Sequence, residues 1–411
     1  MKHADVPSFG PLSGVRVLHA SMSVAGPFAA TLFAEMGADV IWVENAKSPD
    51  VGRERDGRGS CIDLDRRNSR NINLNVASSE GAEVFAKLLA EADIFIEASK
   101  PGMYDKFGFS DQDIWAINPK IVIAHISGYG QTGDPAYQGR ASFDPIAQAF
   151  GGMMAMNGDP DMESFACVWA PGDYYSGFMA AFASLAAYRN AQITGRGESI
   201  DVAQYEAVMR THGNWGMDVW EKNKPYPRSL KGPSSSVTAG FGAYRCGDGE
   251  EVYIVNVGPG VVRGLVTAVG LPYGSELFPA GSARVAKYSE AGEALDKAIV
   301  EFCAKRTAAE VESELCANGV PCSKVMKLEE LPTNPQYVAR GSFIEYENAW
   351  GETTVAPNTF PKMANNPGRV WRYGPRRGED TVDILEDLGY SAGDIRAMQE
   401  VGAVYAEEKG E

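Results

Sequence analysis

Val15-Arg16-Val17-Leu18 is followed by the loop Ser21 to Gly26, by Pro27, and then by Asp39-Val40-Ile41-Trp42-Val43-Glu44. The first and last of these are short apolar runs that read as strands. Pro27 suits the first turn of a helix, because its φ is already helical and its missing N–H would find no partner there. Phe28, Leu32, Phe33 and Met36 then fall on one helical face, and Gly37 ends the helix. Strand, helix and strand in this order, joined by a helical crossover, form a parallel βαβ unit.

The unit recurs downstream. Gly81 to Ala92 reads as a helix with Val84, Phe85, Leu88 and Leu89 turned inward, and Asp93 to Glu97 as a strand. Asp111 to Ile117 is a short helix and Ile121 to Ile126 another strand. An α/β fold with a doubly wound parallel sheet is the economical reading. The first βα loop, Ser21 to Pro27, lacks GxGxxG, so a dinucleotide cradle is not expected. No GxxxxGK[ST] occurs either.

Asp173 to about Ala191 reads as a long helix, with Phe178, Phe182, Leu185 and Tyr188 spaced for a buried face. A turn at Gly195 to Gly197, a strand at Glu198 to Val202 and a helix from Gln204 to about Trp220 follow. Lys222 to Ser236 is rich in Pro, Lys and Ser and reads as a linker. Beyond it, Gly247-Asp248-Gly249 separates two strand-like runs and signals a hairpin. Helices are expected at about 288–305 and 307–317, a loop-rich tail over 334–378, and a helical hairpin over about 379–404. The organisation expected is therefore residues 1–225 as the start of a large α/β domain, 226–330 as a smaller α+β domain, and 331–411 as a return to the large one.

With 411 residues, 44% of them hydrophobic, the chain is long enough for two domains. The net charge of −16 disfavours a nucleic-acid partner, which wants a basic face. Local basic clusters at Arg53, Arg55 and Arg58, and at Arg66, Arg67 and Arg70, leave room for a small polyanion. Six scattered cysteines form no CxxC pair, so no metal site is expected. The opening residues have no apolar signal core, and no run of 18 apolar residues occurs. A cytoplasmic protein away from the membrane is the expectation. His125, mid-strand in an apolar run, reads as a satisfied core histidine. Aromatics such as Trp169, Tyr174, Trp215 and Trp220 are more often core than substrate box, and these four are the candidates for lining a substrate pocket.

Several segments in order resemble the family III CoA-transferases, the CaiB/BaiF family. They are Pro11 to Leu18, Ala25 to Pro27, Glu35 to Ile41, Ser127 to Gly133, Phe143 to Gln148, Gly172-Asp173, Gly195 to Val202, Asn334 to Arg340 and Asp380 to Gly389. The resemblance implies a large Rossmann-like doubly wound domain, a smaller α+β domain and an interlocked homodimer. It also implies an enzyme that exchanges coenzyme A between an acyl-CoA and a carboxylic acid through an aspartyl-CoA thioester. Acyl-CoA is then a substrate, and no permanently bound cofactor is expected. Motif matching places the nucleophile at Asp173; without the resemblance, an Asp after Pro-Gly reads as a helix N-cap. Lys100 matches a basic CoA contact, Lys106 a position commonly Arg in the family, and Arg66, Arg67 and Asn68 fall near the adenosine. Carnitine/crotonobetaine enzymes and bile-acid CoA-transferases are the nearest resemblances. An acyl-CoA racemase is less favoured, because Phe143 stands where that branch has an acid–base His. A non-catalytic CoA-ester binding protein is the remaining alternative.

Overall fold

The structure, a computed structural model, describes residues 1–53, 59–158, 161–222 and 237–407. Arg55, Arg58 and residues 223–236 of the expected linker lie outside the described residues. The chain forms two compact units. One comprises Met1–Met153, Ala166–Gly216 and Gln336–Glu411, the other Met154–Phe165 and Met217–Pro335.

The first unit is built on six parallel strands: β1 Arg16–Ala20, β2 Asp39–Asn45, β3 Ser69–Leu74, β4 Ile94–Glu97, β5 Val122–Ser127 and β6 Ser199–Ala203. Their order is β3-β2-β1-β4-β5-β6, and Val404–Tyr405 adds a seventh, antiparallel strand beside β3. This is the doubly wound α/β sheet expected from the sequence. The chain reverses direction across the sheet between β1 and β4, so loops at their carboxyl ends part there and open a crevice.

Helices cover both faces. Ser79–Glu91 buries Val84, Phe85, Leu88 and Leu89 as the sequence predicts, and Ser78 caps its first turn through Gly81 N. On the other face, Ala25–Glu35 packs against Pro171–Thr194. Their contact depends on small residues. A Cβ at Gly177 would stand 2.7 Å from Phe28 Cδ1 and 2.9 Å from Ala25 O, closer than real side chains approach.

That choice of face corrects one sequence expectation. Phe178, Phe182 and Leu185 do not point inward in Pro171–Thr194. They are 43%, 74% and 44% exposed, while Ser176, Gly177, Ala180, Ser184 and Ala191 make the buried stripe. Apolar spacing alone read the wrong stripe, because both faces of this helix are apolar and small residues won the close packing.

Strand β3 has no counterpart in the sequence reading. Its alternation of polar residues hid it, yet all six of its residues are buried. The loop-rich tail also holds a hairpin, Phe343–Glu347 with Thr353–Pro357.

The second unit has its own core, including Val252, Ile254, Leu265, Leu295 and Ile299. The predicted hairpin is present as Gly242–Arg245 and Glu251–Ile254, extended by Cys322–Lys324 into a three-stranded antiparallel sheet. Helices Glu290–Ala304 and Ala308–Ala317 accompany it. Among the described residues no helix is long and apolar enough to cross a membrane.

Candidate active site

The crevice at the carboxyl ends of β1, β4 and β5 holds two neighbouring cavities. One, of about 210 Å³, is lined by Asp173, Gln204, Lys100, Arg140, Phe143 and Ser127 among others. The other, of about 420 Å³, is lined by Trp42, Asn45, Asp50, Asn75, Met103 and Tyr104 among others. Met22, Ala98, Ser99 and Lys100 border both, so Lys100 stands at their junction.

Asp173 occupies the third position of Pro171–Thr194. Ala170, just before the helix, takes a left-handed conformation at φ 49°, which a non-glycine residue adopts only under constraint. The constraint is visible in the preceding loop. Gln148 Oε1 accepts from Cys167 N at 2.7 Å, and its Nε2 donates to Cys167 O at 3.0 Å and to Asp144 Oδ2 at 2.6 Å. Asp144 Oδ1 in turn accepts from Gly172 N at 2.7 Å. A Cβ at Gly172 would lie 3.0 Å from that oxygen and 3.1 Å from Ala147 Cβ. Glycine is what lets the helix start settle on Asp144.

The result is a buried carboxylate with little to neutralise it. Asp173 is 7% exposed. Gln204 Nε2 donates to its Oδ1. Among the described residues no hydrogen bond reaches Oδ2 and no cation pairs with the group. Burial raises the Asp173 carboxyl first, the nearby Asp144 charge second; the Gln204 hydrogen bond opposes both, and the group stands at about 7. A group that titrates near neutrality in a cleft has the signature of chemistry more than of scaffolding.

The other sequence candidates fall into three places. Lys100 is exposed at the junction of the cavities. Lys106 is exposed in the turn Asp105–Phe107 and lines neither cavity. Arg66 is buried behind the loops: it donates to Ser23 O at 2.7 Å and Asp50 Oδ2 at 2.6 Å, and lies 4.9 Å over the Trp42 ring. Arg67 pairs with Glu35 and donates to Pro357 O at 2.7 Å. Asn68, at φ 64°, donates to Arg369 O at 2.6 Å and accepts from Trp371 N and Arg372 N. Arg67 and Asn68 thus hold the tail on the sheet and line neither cavity. Tyr174 packs edge-on against Phe28 and Trp169 is 69% exposed; neither lines the Asp173 cavity. Trp220 belongs to the other unit, and the side chain of Trp215 lies outside the described residues.

Sequence reasoning missed Asp144, Gln148 and Gln204, because each acts through a partner far along the chain. His125 is part-buried and has partners on both ring nitrogens, as expected of a satisfied histidine, but the partners are acids. Its Nδ1 and Nε2 lie 2.7 and 3.0 Å from Glu97 and Asp111. Burial alone would lower its pKa, yet the two carboxylates lift it to about 10, so the ring is an imidazolium. Among the described residues no group of three or more His, Cys, Asp or Glu side chains is placed to hold a metal ion.

A doubly wound sheet binds its ligands at the switch point, and here that crevice holds the buried Asp173 carboxylate. The family model for CoA-transferase family III matches residues 12–381, nearly the whole chain, and the protein belongs to that family. Among solved structures, a CaiB/BaiF family protein from Brucella suis is 27% identical. That match covers 93% of this chain and 100% of the other, with a TM-score of 0.79. Rv3272 from Mycobacterium tuberculosis, at 23% identity and a TM-score of 0.77, covers 92% of this chain and 99% of its own, and shares the fold.

Proposed function

We propose that Asp173 is the nucleophile through which this CoA-transferase passes coenzyme A from an acyl-CoA to a free carboxylic acid. The observation that carries this reading is the buried, cation-free carboxylate at the start of a helix, opening on a cavity that Lys100 shares with its neighbour. Asp173 attacks the donor thioester carbonyl, forms a mixed anhydride and expels the CoA thiolate. The thiolate attacks the Asp173 carbonyl, leaving an aspartyl-CoA thioester and the donor's free acid. The acceptor carboxylate attacks that thioester and again releases thiolate. The thiolate then takes the acyl group from the new anhydride and restores the Asp173 carboxylate. Splitting one transfer into exchanges between groups of similar energy is the logic of covalent catalysis. Gln204 holds Oδ1 and leaves Oδ2 for attack. The positive end of the helix dipole favours the negative charge that develops at the carbonyl oxygen.

Lys100 meets the CoA phosphates, with the larger cavity taking the nucleotide and pantetheine. Trp42, with the Arg53 and Arg66 guanidinium groups 4.7 and 4.9 Å from its ring centre, lines that cavity. Arg66 serves this end through Asp50 and Trp42; Arg67 and Asn68 are assigned to the scaffold, and Lys106 to distant charge. The reaction as proposed needs no resident cofactor, and its site of action is assigned to the cytoplasm. To test the mechanism, acyl-CoA is incubated with the protein, the adduct is trapped with hydroxylamine, and the labelled peptide is mapped. Label on the peptide containing Asp173 is expected; full turnover in Asp173→Ala overturns the reading.

The protein acts as a homodimer. Phe178, Phe182 and Leu185 repeat along one helix face, and an exposed apolar stripe of large side chains marks a surface that another chain covers. Interlocked chains place this stripe inside the dimer. Sedimentation at nanomolar concentration is expected to show only the dimer, and a stable, active single chain excludes it.

A further inference from the structure

The smaller cavity carries a cation that the transfer chemistry does not use. Arg140 lines the cavity of Asp173 but not the larger one, together with Gly128, Tyr129, Ser142 and Phe143. Lys100, shared by both, lies toward the CoA side. Arg140 therefore shares with Asp173 the cavity that, on the proposed function, takes the acyl group of donor or acceptor.

Its guanidinium is held in place from behind. Nε donates to Ala136 O at 2.6 Å, and the carbon of the fork stands 4.1 Å over the Tyr137 ring. Tyr137 is itself fixed in an aromatic cluster with Tyr129 and Phe150, at 5.7 and 5.2 Å between centroids. The loop is also pinned at its far end, since a Cβ at Gly128 would meet Ser142 Cβ at 2.1 Å. Among the described residues no carboxylate pairs with Arg140, and its two terminal nitrogens make no hydrogen bond. A stacked guanidinium with a free fork is organised to receive a second planar anion in two parallel hydrogen bonds.

We infer that the acids exchanged here carry a second carboxylate, which Arg140 reads while the reacting carboxylate meets Asp173. The inference rests on the proposed role of Asp173. Size agrees with it. A cavity of about 210 Å³ offers room for a short-chain dicarboxylate. A trimethylammonium acid would set its cation against Arg140 and find no carboxylate there except the reacting Asp173.

The test uses the full-length protein with a CoA thioester donor and four acceptors: succinate, glutarate, butanoate and a trimethylammonium-bearing butanoate. Hydroxylamine trapping at Asp173 is measured in parallel with the donor alone. The expected result is that kcat/KM for succinate or glutarate exceeds that for butanoate by about tenfold or more. That ratio collapses toward one in Arg140→Gln and is partly restored in Arg140→Lys, with melting temperatures unchanged. A wild-type preference for butanoate or the trimethylammonium acid overturns the inference, as does a ratio unmoved by Arg140→Gln. Failure of Asp173 to trap acyl groups sinks the parent mechanism instead, so the two failures are separable.

Discussion

Two buried polar regions lie in the same unit and are built on opposite terms. Around β3, charge is buried in pairs. Arg53 meets Glu44 at 2.8 Å, Arg70 meets Asp39 at 2.7 Å, and Arg372 meets Asp380 through two hydrogen bonds of 2.9 Å. Asn71 and Asn73 fill the remaining acceptors of Glu44. At the Asp173 site a carboxylate is also buried, and among the described residues no cation answers it. The first arrangement answers each charge with an opposite one and ties the groups to the scaffold. The second leaves the proton binding in balance near neutral pH, which is where a nucleophile is useful. Burial alone does not mark a functional charge; burial without a counter-ion does.

The sharpest way to break the contrast is at the lone carboxylate. Asp173→Asn is expected to lower kcat on the order of 10⁴-fold with the fold intact, measured by turnover and circular dichroism. It should also stabilise. Asp173 titrates at about 7 in the folded protein against ~3.9 unfolded. The stability it contributes is full below the unfolded value and is lost as pH rises through the folded one. Above pH 7 the substitution removes that loss, and a melting temperature higher by on the order of 2 °C is expected.

Breaking a pair should do the reverse. Arg372→Met takes the guanidinium away from Asp380 and Glu379, and removing one partner of a buried pair costs about 3–5 kcal/mol. Urea denaturation is expected to show that loss, and a change under 1 kcal/mol would show the pair to be dispensable.

Two smaller effects sharpen the comparison. The ionised form of Asp173 attacks, so kcat/KM should rise with pH through about 7. Asp144→Asn removes the second-largest cause of that high value and should move the rising limb to lower pH; an unmoved limb would detach Asp144 from the nucleophile. Lys100→Ala should raise KM for the CoA thioester several-fold, with little change in kcat and a weaker dependence on salt.

The two regions also differ in how openly the sequence displays them. β1, β2, β4 and β5 were legible because both of their faces are buried, which leaves plain apolar runs between turn signals. Asp173 was legible through the family resemblance and its place after Pro171-Gly172. β3 was not, because Ser69, Arg70, Asn71 and Asn73 read as surface. Their partners, Asp380 and Thr381 among them, come from the tail. The same distance hid Asp144 and Gln204, whose meaning appears only once the helix start is folded against them. Phe178, Phe182 and Leu185 were misjudged for a different reason. Periodicity finds apolar stripes, and this helix has two.

The edge of the sheet beyond β2 has a consequence for how the chain reaches its native state. Asn71 N waits for Asp380, 309 residues away in sequence, and Asn73 N for Thr381, 308 residues away. On a ribosome, β3 emerges long before the segment that completes it, and at ~5–20 residues per second the interval is on the order of tens of seconds. During that time its polar backbone and buried arginines stay wet, and the nascent sheet ends at β2 or holds β3 only loosely. The last step of folding is then the docking of the tail over β3, a closure across most of the chain and slow for that reason.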